Sequence, residues 1–93
     1  MIETFACKET KKIWLGQSSS KLPGDIQNRA LRKLRQLDAA LTVNDLRNPP
    51  GNRLEALKGN RQGQYSIRIQ QRWRICFTWD NGSARDVEIV DYH

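Results

Sequence analysis

The chain is poor in histidine and cysteine, the residues that most often build metal sites and disulfides. It has one histidine, His93, and two cysteines, Cys7 and Cys76, which lie far apart in sequence and show no metal-ligand spacing. We therefore expect no disulfide, no metal and no cofactor. We assign the two thiols no chemical role.

Long apolar segments are lacking too. No run approaches the roughly 18 residues of a membrane span, and residues 1–6 do not show the basic stretch followed by an apolar one that marks a secretory signal. We expect a cytoplasmic protein with no membrane partner. Hydrophobic residues form 38% of the 93 and are spread along the chain, which favours one folded domain over residues 1–93.

Acidic residues are scarce in one segment. The whole chain has 16 lysines and arginines against 10 acids, a net charge of +6. Residues 47–74 contain seven basic residues and one acid, Glu55, so the whole excess lies there. Such an excess predicts a polyanionic ligand at this segment. The alternative is a basic surface that only keeps the protein soluble.

The first half of the sequence has helical spacing. Residues 2–5 suggest a short edge strand, and residues 7–15 a short helix that ends at Gly16. Asp25 is the expected N-cap of a longer helix. The apolar stripe of that helix contains Ile26, Ala30, Leu34, Leu37 and Leu41. Four basic residues lie off the stripe: Arg29, Arg32, Lys33 and Arg35. A basic amphipathic helix can be an RNA-contacting or calmodulin-like element, but we interpret these charges as a solvated outer face.

After two prolines and Gly51 the hydrophobic period changes to two. Apolar and polar residues alternate through 65–70 and again through 72–79, which predicts two half-buried strands. The sequence Asp80-Asn81-Gly82 predicts a hairpin into a last strand around residues 87–90. Together these patterns predict an α+β fold, with two N-terminal helices packed on a small antiparallel β-sheet.

Three arginines occupy the polar positions of the two strands. If the apolar residues face the helix, Arg68, Arg72 and Arg74 project from the opposite face of the sheet. Guanidinium groups on one surface repel each other, and a phosphate that accepts bidentate hydrogen bonds relieves this repulsion. Lys58 ends a further apolar stretch that we expect to pair with the sheet, and it adds a fourth charge. The pattern predicts a face that binds nucleic acid.

Three segments resemble the HigB branch of the RelE/ParE toxin superfamily. They are residues 50–59 (PGNRLEALKG), the strand pair 65–69 (YSIRI) and 73–77 (WRICF), and residues 87–93 (VEIVDYH). The resemblance covers about the last half of the chain, and the first half agrees in its plan of two helices before a sheet. It implies a RelE-like fold and the toxin of a type II toxin-antitoxin pair.

The resemblance also implies partners and a reaction. The expected toxin enters the ribosomal A site and cuts mRNA there, which inhibits translation and growth. Its expected partner is a HigA-like antitoxin with a helix-turn-helix domain, in a hetero-oligomer that contacts operator DNA only through the antitoxin. The reaction is a metal-free attack of a ribose 2′-hydroxyl on the neighbouring phosphodiester, and it leaves a cyclic phosphate.

Matching the motifs residue by residue implies the roles of individual side chains. Lys58, Arg68 and Arg74 would hold the phosphate and stabilise the transition state. At the C-terminus, His93 would transfer protons, and Asp91 would orient it or accept a proton. Tyr92 would stack on a nucleobase of the RNA or position the strand. We expect Arg53, Arg61 and Arg72 to contact RNA.

Two departures from the family pattern bear on these roles. Some relatives have histidine where this chain has Glu55, so either Glu55 is the general base or His93 acts alone. Relatives often have Asn-Asp where this chain has Gln70-Gln71, which implies altered RNA contacts. Two other functions remain as alternatives. The resemblance allows a ParE-like poison of DNA gyrase, since that side of the superfamily shares the fold, and the charge pattern fits an RNA-binding module without chemistry. The motif Asp91-Tyr92-His93 favours the nuclease.

Overall fold

The structure is a computed structural model that describes residues 1–91. Two helices, α1 (Lys8–Trp14) and α2 (Gly24–Ala39), precede a sheet of four strands. The strands are β1 (Glu55–Ala56), β2 (Tyr65–Arg68), β3 (Trp73–Asp80) and β4 (Ser83–Asp91). Neighbours in the sheet are antiparallel and follow the order of the sequence. The predicted α+β fold is confirmed.

The N-terminal residues lie at the free edge of β4. Ile2 and Phe5 form isolated parallel bridges with Ala84 and Val87, so the predicted edge position is correct although no continuous strand forms. Helix α1 agrees with its prediction within a residue. Among the described residues, no helix has both the length and the apolar character needed to cross a membrane.

Both predicted ends of α2 need correction. Pro23 takes the N-cap position, and Asp25 lies in the first turn. At the other end Ala40 is extended (ψ 136°), so the helix stops before Leu41, which is 81% exposed. The stripe from Ile26 to Leu37 is buried as predicted. Leu41 has the right spacing for that stripe, but the chain has already left the helix there.

The strand register separates two faces of the sheet. Tyr65 pairs with Phe77, and Ile67 with Ile75, on the face that packs against α2. Residues on the opposite face are paired as Glu55 with Ser66, Ser66 with Cys76, Arg68 with Arg74, and Cys76 with Glu88. We call this second set the arginine face. Short 3₁₀ turns at Pro50–Asn52 and Gly59–Arg61 flank β1, which lies at the edge of that face.

Candidate functional site

Arg74 is the central residue of the arginine face. Its Nε donates a hydrogen bond to Ser66 Oγ (2.7 Å), and its Nη2 donates to the carbonyl oxygen of Arg53 (2.6 Å). Arg74 is only 6% exposed, and these acceptors replace the water that its guanidinium loses. Arg74 therefore lies on the face predicted from strand alternation, and it is buried there. Strand alternation predicts the face on which Arg74 lies. It does not predict that the segment before β1 covers Arg74.

Two of the acceptors that fix Arg74 come from residues whose roles the sequence did not reveal. Ser66 is fully buried in β2, and its only signal was a small polar residue between two apolar ones. Arg53 adopts a left-handed conformation (φ 46°) at the end of a 3₁₀ turn, and it contributes its backbone oxygen. A main-chain acceptor of this kind leaves no mark in a sequence motif.

Glu55 places an anionic oxygen at the guanidinium of Arg74. Its Oε1 lies 3.6 Å from Arg74 Nη2, and half of the Glu55 side chain is exposed. An ion pair at this separation with one solvent-exposed partner contributes modestly to stability. Glu55 is therefore a half-exposed anion next to the buried guanidinium of Arg74.

Two further cations predicted for the site lie on or near this face. Arg68 is the cross-strand partner of Arg74 and is partly exposed. Lys58 is exposed two residues after β1 and precedes the turn at Gly59–Arg61. Within residues 1–91 neither side chain has an ion pair. The structure thus brings Glu55, Ser66, Arg68 and Arg74 together, and it places Lys58 at the end of the neighbouring strand.

Acids from β4 partly neutralise the basic segment. Arg61 Nη1 lies 3.3 Å from Glu88 Oε1. Arg72 donates from Nε and Nη2 to the two carboxylate oxygens of Asp91, at 3.2 and 2.7 Å. Arg72 lies one residue before β3, which begins at Trp73, and its acid partner is Asp91 of β4. Arg53 and Arg72 both have exposed side chains.

The C-terminal motif begins at the end of β4. Asp91 is the register partner of Trp73 and is held by Arg72. Tyr92 and His93, for which the motif implies stacking and proton transfer, lie outside the described residues. The structure therefore shows the position of Asp91, the first residue of the motif.

Cys76 also lies on the arginine face, and it is fully buried. Burial raises the pKa of its thiol, and Glu88 raises it further, while Arg61 and Arg74 act in the opposite direction. A raised thiol pKa lowers the fraction of reactive thiolate near neutral pH. Both cysteines are free, and Cys76 behaves as the small buried apolar group expected from the sequence.

The sequence was compared with protein families and with known proteins. A family model described as the RelE-like toxin HigB of type II toxin-antitoxin systems matches residues 3–93. The chain belongs to the HigB-like toxin family. The predicted family is thereby confirmed, together with the toxin class that its description gives.

Similar proteins agree with this assignment. The toxin is 49% identical over 82 residues to Toxin HigB-1 of Vibrio cholerae, which covers 82% of this chain and 86% of the relative. It is 33% identical to Endoribonuclease HigB of Proteus vulgaris over the full length of both chains. Its fold resembles a chain of the YoeB-YefM complex from Staphylococcus aureus, with a TM-score of 0.61 and 21% identity over 100% of this chain and 98% of the other.

Proposed function

We propose that this HigB-like toxin is a cytoplasmic endoribonuclease that cleaves mRNA in the ribosomal A site. The observation that carries the proposal is the setting of Arg74. Its buried guanidinium is fixed by Ser66 and Arg53, and a carboxylate oxygen of the half-exposed Glu55 lies 3.6 Å from its Nη2. The name of the Proteus relative, an endoribonuclease, supports the same reaction class.

The scissile phosphate takes the place of the Glu55 carboxylate beside Arg74. A guanidinium binds phosphate oxygens through the same hydrogen bonds that it makes to a carboxylate. Because Ser66 and the Arg53 carbonyl already hold the side chain, little reorganisation is needed when charge develops on the phosphorane. Arg68, across the strand pair, and Lys58 add positive charge, so Glu55 acts as the resting counter-ion of Arg74.

Proton transfer falls to the C-terminal motif. His93 takes the proton of the ribose 2′-hydroxyl, the 2′-oxygen attacks phosphorus, and the bond to the 5′-oxygen breaks as that oxygen takes a proton from water. The products are a 2′,3′-cyclic phosphate and a free 5′-hydroxyl. Arg72 fixes the carboxylate of Asp91, which keeps Asp91 in place to orient His93. Tyr92 stacks on a base of the mRNA.

The ribosome and an antitoxin are the proposed partners of the toxin. The ribosome presents mRNA in an extended form, so the toxin itself needs little affinity for RNA. The whole chain, residues 1–93, acts as one toxin domain, and a HigA-like helix-turn-helix antitoxin inhibits it. The YoeB-YefM complex shows that a protein with this fold assembles with an antitoxin.

The test compares the wild type and His93→Gln during controlled expression in growing cells. The readouts are growth arrest and a map of mRNA 5′ ends. We expect arrest by the wild type with new 5′ ends inside coding regions, and loss of both in His93→Gln. Arrest with double-strand DNA breaks and no new mRNA ends would identify a gyrase poison instead. Unchanged cleavage by His93→Gln would refute only the role of His93.

A further inference from the structure

A basic groove separates α2 from the turn between β2 and β3. It has a volume of about 550 Å³, and its walls include Arg29, Arg32 and Lys33 of α2, Arg68 at the end of β2, Gln70 of the turn, and Gly51. Four of these side chains are cationic. Among the described residues that line it, none is acidic and none is aromatic.

Lys33 is held in the wall of this groove by a buried amide. Its Nζ donates to Asn52 Oδ1, and Asn52 is fully buried. The amide of Asn52 in turn donates to the carbonyl oxygen of Leu46 (3.1 Å) and to Gln36 Oε1 (3.2 Å). These contacts link α2 to the segment before β1, so they fix the ammonium group within the fold.

The cations of the groove repel one another. Partial burial lowers the pKa of Lys33, and the charges of Arg29 and Arg32 lower it further. A pKa lowered in this way means that the ammonium form is disfavoured where it stands. An anion in the groove would relieve both the desolvation and the repulsion, as it does at other clustered cationic sites.

Arg68 connects the groove to the arginine face. It lines the groove and is the cross-strand partner of Arg74. A polyanion bound at Arg74 therefore has a cationic surface to follow past Arg68 toward α2. The two sites share one residue and differ in all the others.

The lining determines the kind of ligand. Proteins that read single-stranded bases stack them on aromatic rings, whereas backbone contacts need only positive charge and donors. Guanidinium, ammonium and amide groups line this groove without a ring. We propose that the groove binds the sugar-phosphate backbone of the RNA strand next to the bond that is cut, independently of base sequence.

This proposal rests on the proposed function for the identity of the strand. It gives Arg29, Arg32 and Lys33 a role that differs from the solvated face expected from the sequence. Arg35, on the same helix, does not line the groove. Arg35 therefore serves as a control residue on the same helix.

The test measures binding of a short single-stranded 2′-O-methyl RNA, which has phosphates but no attacking hydroxyl. Fluorescence anisotropy over a series of KCl concentrations compares the wild type with Arg29→Gln/Arg32→Gln and with the charge-matched pair Arg35→Gln/Lys11→Gln, two exposed residues that do not line the groove. Each phosphate contact to a single strand contributes about 0.7 to the slope of log Kd against log salt. We expect the slope of the groove variant to fall by about 1.4, and that of the control to match the wild type.

Other results would overturn the groove assignment. They are an unchanged slope in the groove variant, equal losses in the two double variants, or no binding by the wild type at low salt. The two proposals fail separately. If the slope falls as predicted while expression yields no new mRNA ends, the groove binds RNA and the nuclease reaction is wrong. If mRNA ends appear while the slope is unchanged, only the groove is wrong.

Discussion

Arg74 Nε and Ser66 Oγ, on adjacent strands, are joined by a hydrogen bond of 2.7 Å inside the sheet. Together with the bond to the Arg53 carbonyl oxygen, this bond fixes the direction of the Arg74 side chain. A hydrogen bond to a charged group contributes about 1.5–3 kcal/mol. The geometry of the proposed site therefore depends on a serine that does not itself reach the substrate.

Replacing Ser66 by alanine removes this acceptor. We expect kcat for mRNA cleavage to fall about tenfold to a hundredfold, since about 1.4 kcal/mol of transition-state stabilisation corresponds to a factor of ten. KM should change little, because Arg68 and Lys58 still attract the RNA. The matched control is Thr78→Val in β3. Within residues 1–91, the Thr78 hydroxyl donates its hydrogen bond to the Arg85 carbonyl oxygen and not to a residue of the site. Equal kcat in Ser66→Ala and the wild type would show that Ser66 does not position Arg74.

Glu55→Gln tests whether the carboxylate is a counter-ion or a base. As counter-ion it competes with the phosphate, and an exposed ion pair contributes about 0.2–1 kcal/mol. We expect RNA to bind up to about fivefold more tightly, with cleavage retained. The control is Glu3→Gln, which releases Arg85, a residue outside the arginine face, instead. A loss of cleavage of a hundredfold or more in Glu55→Gln, with normal RNA binding, would make Glu55 the general base.

Thr10 attaches α1 to the strand that leads into the C-terminal motif. Its Oγ1 accepts a buried hydrogen bond from the Ile89 amide (2.9 Å). Thr10→Val leaves that amide without its acceptor, which costs about 1–3 kcal/mol. Thr4→Val removes an exposed bond of the same length to the Asp86 amide, and it should cost less than about 0.5 kcal/mol. Urea unfolding measures both, and equal losses would contradict the role given to burial.

The two cysteines should differ in reactivity. The pKa of Cys76 is raised, chiefly by burial, so little thiolate is present at neutral pH and reagents have no access. Cys7 is only partly buried. We expect iodoacetamide to label Cys7 in the native protein, and Cys76 only in denaturant, as read by peptide mass spectrometry. Labelling of Cys76 at the rate of Cys7 would mean that the arginine face opens in solution.

Hydrophobic period and turn chemistry predicted most of the fold. The stripe from Ile26 to Leu37 and the alternation in β2 and β3 reflect burial against one partner surface, so they are visible in the sequence. The end of α2 before Leu41 was not visible, because spacing continues after the backbone has turned. Asp25 was a plausible cap, but Pro23 holds that position.

The site was predictable only in part. Period two placed Arg68 and Arg74 on one face, and the family motif singled out the same residues. Their surroundings come from long-range contacts: the Arg53 carbonyl lies 21 residues from Arg74 in sequence, and Asp91 lies 19 residues from Arg72. The groove likewise joins α2 to the turn after β2, and neither segment alone distinguishes a binding surface from a solvated one.

We propose that this toxin cuts mRNA on the ribosome, with Arg74 holding the phosphate. The most direct measurement incubates purified toxin with mRNA, free or bound in the A site of purified ribosomes, and determines the fragment ends. We predict cleavage only on the ribosome, a 2′,3′-cyclic phosphate on the upstream fragment, and a loss of at least about a hundredfold in Arg74→Lys with antitoxin binding intact. Intact ribosome-bound mRNA after incubation with the wild type would contradict the proposed cleavage. Cleavage by Arg74→Lys at the wild-type rate would contradict the role of Arg74.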